Sequence, residues 1–118
     1  MTSVSKLDIL YRSTKLEKDL NELKRLVRRY GKRQGELIAL RLTQLRAAPT
    51  LAAISTLPPI RCHELVANRQ GQISIDLVHP YRLIFEPANN PLPTREDGGL
   101  NWSAVTIVRI LEIEDTHG

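Results

Sequence analysis

Apolar residues recur at helical spacing through the first half of this chain and at alternate positions through the second, so helices are expected to precede strands. A short strand comes first: Leu7, Ile9 and Tyr11 alternate with polar neighbours over 6–12. Ser13 or Thr14 then offers a side-chain oxygen to the free N–H groups at a helix start. The spacing of Leu16, Leu20, Leu23 and Val27 predicts one helix over 15–29 with a single apolar face. Tyr30-Gly31 ends it, glycine accepting the left-handed turn. Leu37, Ile38, Leu42 and Leu45 predict a second helix over 35–48, stopped by Pro49. The link is short enough to make the two an antiparallel hairpin.

A loose helical turn over 51–57 ends at Pro58-Pro59, and short strands follow. The first covers 61–66. A turn at 68–71 needs positive φ at Gly71. The next strand covers 72–78, with Ile73, Ile75 and Leu77 on one face. His79-Pro80 turns the chain into a strand over 81–86, with Tyr81, Leu83 and Phe85 on one face and Arg82 on the other. The Pro-, Asn-, Asp- and Gly-rich stretch 87–99 is a surface loop, and 104–114 is the last strand. The pattern predicts one α+β domain over 1–118: an N-terminal strand and a helical hairpin packed on a small antiparallel sheet.

Composition changes this picture little. The chain has 118 residues, 42% hydrophobic and 25% charged, as expected of one globular domain. Its net charge of +4 weakly favours a polyanionic partner. The single cysteine, Cys62, cannot form an internal disulfide and reads as a small core hydrophobe. The first ten residues do not look like a signal peptide, and no apolar run approaches the roughly 20 residues that span a bilayer. A cytoplasmic protein without membrane contact is expected.

Three features carry candidate chemistry. Lys24, Arg25, Arg28, Arg29, Lys32 and Arg33 form a basic cluster that is a solvated surface, a phosphate-tracking patch or a dock for an acidic partner. Arg82 either forks onto a phosphate or pairs with Glu86 or a carboxylate on a neighbouring strand. His63 and His117 are the third feature; on one sheet face they could act as general base and general acid, since histidine titrates near neutral pH. Cys62, His63, Asp115 and His117 lack zinc-site spacing, so no metal is expected. Phosphate-loop, GxSxG and HExxH motifs are absent.

Five stretches in order resemble the HigB/killer protein family of the RelE superfamily of toxins. They are Tyr30-Gly31 with the second helix through Leu42-Thr43-Gln44-Leu45-Arg46-Ala47-Ala48, then Pro59-Ile60-Arg61-Cys62-His63-Glu64-Leu65, then Arg69-Gln70-Gly71-Gln72-Ile73-Ser74-Ile75-Asp76-Leu77, then Tyr81-Arg82-Leu83-Ile84-Phe85, and finally the terminal Ile110-Leu111-Glu112-Ile113-Glu114-Asp115-Thr116-His117. The resemblance implies a RelE-like fold and a ribosome-dependent mRNA endoribonuclease that works without metal or cofactor. Its implied partners are the ribosome, mRNA and a helix-turn-helix, HigA-like antitoxin, with operator DNA reached only through the antitoxin complex. Carried over by position, His63, Arg82, Asp115 and His117 are the implied catalytic residues. The resemblance covers roughly 30–117; the candidate RNA contacts are Lys24, Arg25 and Arg28 of the basic cluster, which precede it, with Arg61, Arg69 and Thr116. Thr116 stands where the family has a tyrosine, and threonine cannot stack on a base. A RelE-like protein that binds antitoxin or ribosome but cuts weakly or not at all is therefore the alternative expectation.

Overall fold

The computed structural model describes residues 6–116. Five strands form one sheet in the order β1-β5-β4-β3-β2: β1 (Asp8–Tyr11), β2 (His63–Glu64), β3 (Ile73–Asp76), β4 (Tyr81–Pro87) and β5 (Ile107–Asp115). Helices α1 (Thr14–Asn21), α2 (Leu23–Tyr30) and α3 (Lys32–Ala47) cover one face. The architecture is α+β, as the change of apolar period predicts. The sheet, however, is mixed. β1 runs parallel to β5, pairing Ile9 with Val108 and Tyr11 with Ile110, while the other pairs are antiparallel.

The first helix also differs from expectation. Glu22 is extended (φ −117°, ψ 112°) and divides it into α1 and α2. Leu20 and Leu26 are both fully buried, yet six residues would set them roughly 120° apart on a continuous helix. The break re-phases the chain so that both reach the core. It leaves Leu23 half-exposed, and Leu26 takes the core position that Leu23 was expected to hold. Ser13 caps α1 as predicted, its Oγ accepting from the Leu16 N–H at 3.1 Å. Gly31 joins α2 to α3 at φ 87°.

Ile38, Leu42 and Leu45 of α3 pack with Leu20 and Leu26 over Ile73, Ile75, Leu83, Phe85, Val108 and Ile110 of the sheet. Cys62 is fully buried among them, and burial pushes its thiol pKa up to about 12. A thiol so placed holds almost no thiolate at neutral pH. We expect Cys62 to resist a thiol-specific disulfide reagent in the native protein and to react at once in denaturant. Equal rates in the two states would contradict its burial.

A β-bulge fixes what β5 presents. Ile84 pairs with Glu112, but the next residue, Phe85, pairs with Ile110, so Leu111 is an extra residue. Ahead of it, Val108 and Ile110 face the helices. Beyond it the parity reverses: Ile113 packs against the core, and Glu112 and Glu114 take the face that the helices leave uncovered. No helix among the described residues is long and apolar enough to cross a membrane.

Candidate functional site

The uncovered sheet face carries two rows set by strand register. One row is His63, Ser74, Ile84 and Glu112; the next is Asp76, Arg82 and Glu114. Arg82 therefore stands opposite Tyr81, Leu83 and Phe85, as the alternation along β4 predicts. Its Nε donates to Glu114 Oε2 at 2.6 Å. Arg69, from the turn before β3, reaches over β3 and β4, and its guanidinium meets Glu114 Oε1 at 2.8 Å, Glu112 Oε1 at 3.5 Å and Gln72 Oε1 at 2.7 Å. Burial disfavours the charged form of Glu114, but the Arg82 and Arg69 guanidiniums outweigh it and hold its carboxyl below the usual carboxylate range. The expected alternative for Arg82, an ion pair, is thus realised through Glu114. Glu86 instead accepts from Arg109 at 2.8 Å.

Beside this cluster, Arg61 Nε donates to Asp76 Oδ2 at 2.8 Å. Helix α3 fixes the backbone there. The buried Arg41 donates to the Asp76 carbonyl, and Gln34 both accepts from the Val78 N–H and donates to the Val78 carbonyl. Arg61, Asp76, His79, Pro80, Arg82 and Thr116 line a cleft of about 210 Å³ at the start of β4. The Thr116 hydroxyl donates to the Pro80 carbonyl at 2.7 Å, and its N–H donates to the same oxygen at 3.0 Å.

His63 lies on the same face but outside that cleft. Its Nδ1 is 2.8 Å from the Arg61 carbonyl, which can only accept, so in the neutral ring Nδ1 carries the hydrogen and Nε2 keeps its lone pair. Ser74 Oγ is 3.4 Å from Nε2. Two strand spacings and two residues of rise put the Cα atoms of His63 and Arg82 roughly 12 Å apart.

Other implied site residues fall elsewhere. Asp115 pairs with Tyr81 in register and so takes the parity of the helix-covered face, opposite Arg82. The bulge at Leu111 is the reason, since without it Asp115 would share Arg82's parity. Lys24, Arg25 and Arg28 line a separate cleft of about 500 Å³ with Lys15, Asp19, Arg29 and Tyr30. Arg25 is there paired with Asp19 and Glu22. Lys24 and Arg28 make no ion pair among the described residues. His117 lies outside the described residues. Asp76, Glu112 and Glu114 were missed from sequence; alternation could have placed Asp76, but Glu112 and Glu114 need the bulge. Among the described residues, no group of three or more His, Cys, Asp or Glu side chains is arranged to hold a metal ion.

Comparison of the chain with protein-family models, curated proteins and solved structures gave no match.

Proposed function

We propose that this chain is a RelE-like toxin of a type II toxin–antitoxin pair, an endoribonuclease that cuts mRNA on the ribosome and arrests translation. The observation that carries the reading is the meeting of Arg61, Arg82 and Thr116 on one cleft, with His63 on the same sheet face. In the proposed reaction the ribose 2′-oxygen attacks the adjacent phosphorus and the bond to the 5′-oxygen breaks. The products are a 2′,3′-cyclic phosphate and a free 5′-hydroxyl. A base takes the 2′-OH proton and an acid supplies one to the 5′-oxygen. His63 and His117 are the proposed pair; with Nδ1 donating to the Arg61 carbonyl, the Nε2 lone pair of neutral His63, beside the Ser74 hydroxyl, suits it to the base role. Arg82 is the proposed phosphate ligand, its fork neutralising charge that grows on the non-bridging oxygens. Lys24 and Arg28 supply a separate cationic surface for ribosomal or messenger RNA. The cytoplasm is the proposed compartment, and a helix-turn-helix antitoxin the proposed protein partner.

Thr116 supports a second reading, in which the same fold binds antitoxin or ribosome without cutting. Its hydroxyl is committed to the Pro80 carbonyl, and it offers no ring for stacking on a base. Induction of the chain alone in bacterial cells separates the two. Growth arrest with new 5′ ends inside translated mRNA, lost in His63→Ala and His117→Ala, is expected for the enzyme. Normal growth with soluble protein and unchanged mRNA ends would leave the non-cutting reading.

A further inference from the structure

The Arg69–Arg82 pair holds an anion already. Each oxygen of the Glu114 carboxylate meets a different guanidinium, Oε2 on Arg82 at 2.6 Å and Oε1 on Arg69 at 2.8 Å. The two non-bridging oxygens of a phosphodiester carry a similar charge in a similar fork, and guanidiniums recognise both groups in the same way. The cluster is only partly open to water: the side chains of Arg69 and Arg82 are 25% exposed and that of Glu114 20%. Glu112 sits 3.5 Å from the same Arg69 nitrogen. Two cations and two carboxylates therefore balance. A phosphate added beside them would leave an excess negative charge in a half-buried site, whereas a phosphate that replaces the Glu114 carboxylate keeps the balance.

We propose that Arg69 and Arg82 form a two-arginine phosphate clamp that Glu114 occupies as a resident anion, so that an RNA phosphodiester binds by displacing the Glu114 side chain. This rests on the reading of Arg82 as the phosphate ligand and adds Arg69 to it as a second one. It also gives Glu114 a role, suppressing the binding of stray RNA until a correctly held strand competes for the clamp. Glu114 is placed for such a movement. Its side chain is 20% exposed, and turning it off the two arginines leaves its backbone in register with Arg82.

The test uses the full chain and two probes: inorganic phosphate, followed by the NMR shifts of the Arg69 and Arg82 side-chain N–H groups, so that one reports when the other is replaced, and a labelled RNA oligonucleotide with 2′-O-methyl sugars, which cannot be cut. Glu114→Gln removes the competing charge at nearly constant shape. It is expected to tighten both probes about tenfold, the size of one charge-assisted hydrogen bond. Adding Arg82→Ala or Arg69→Ala to that variant is expected to abolish the gain. Glu114→Asp, too short to reach both arginines, should shift binding the same way and carries the test if Glu114→Gln does not fold. A gain for phosphate without one for RNA would uphold the clamp and remove the RNA reading of this site. Unchanged or weaker phosphate binding in the folded variants would overturn the proposal.

Discussion

Replacing Gly35 with alanine is expected to cost about 2 kcal/mol of stability, within the range for overpacked interiors. A Cβ built on Gly35 comes 2.8 Å from the Val27 backbone nitrogen, 2.9 Å from the Leu26 carbonyl carbon and 3.0 Å from the Val27 Cα. These are main-chain atoms of α2, so no side-chain rotation relieves the contact. Alanine gains about 1 kcal/mol over glycine in a helix interior, which favours the variant. Backbone overlap at this distance outweighs that gain, because α2 would have to move away from α3 and lift the fully buried Leu26 with it. The melting temperature should fall by roughly 5–10 °C for a domain of this size. Gly35→Val should lower it further. An unchanged or raised midpoint for Gly35→Ala would mean that the two helices separate at little cost and that the helix propensity decides.

In the proposed reaction, removal of the Arg82 side chain is expected to lower mRNA cleavage in a translating bacterial extract by about 10²–10³-fold, the usual size for one preorganised donor at a developing oxyanion. Stability should change far less. Glu114 keeps Arg69 when Arg82 is gone, and the lost pair is partly solvated. Arg82→Lys should recover only part of the activity, since an ammonium supplies charge without the planar fork. A folded Arg82→Ala protein that cuts at the wild-type rate would remove Arg82 from the proposed chemistry. The test is most informative when the RNA 5′ ends are mapped, because a change of cleavage position is then distinguished from a loss of rate.

Periodicity reported the core well where an element has one buried face. Ile38, Leu42 and Leu45 on α3, and Ile73, Ile75 and Leu77 on and beyond β3, are buried as their spacing predicts. It reported breaks and partners poorly. Leu23 fits the α1 repeat in sequence, yet the extended Glu22 turns it outward, because an apolar repeat does not mark where a backbone re-phases. The parallel pairing of β1 with β5 was equally hidden, since alternation along a strand says which residues are buried and nothing about the neighbour's direction. The segment 61–66 yields only the two-residue strand His63–Glu64. At the site, β4 alternation placed Arg82 on the uncovered face, but its partner needed the register of a strand more than twenty residues away.

That register depends on Leu111. Like a base inserted in a gene, the extra residue changes the frame in which everything after it is read. Upstream, even-numbered positions of β5 belong to the core; downstream, even numbers belong to the uncovered face. Glu112 and Glu114 in the upstream frame would be pressed beneath the helices, a place no unpaired carboxylate tolerates. With the bulge kept, deletion of Glu112 would therefore put Ile113 and Asp115 where the arginine-bound carboxylates stand, whereas deletion of Leu111 itself would leave Glu112 opposite Ile84 and Glu114 opposite Arg82. The bulge thus ties the packing of the domain's centre to the charge pattern at its edge.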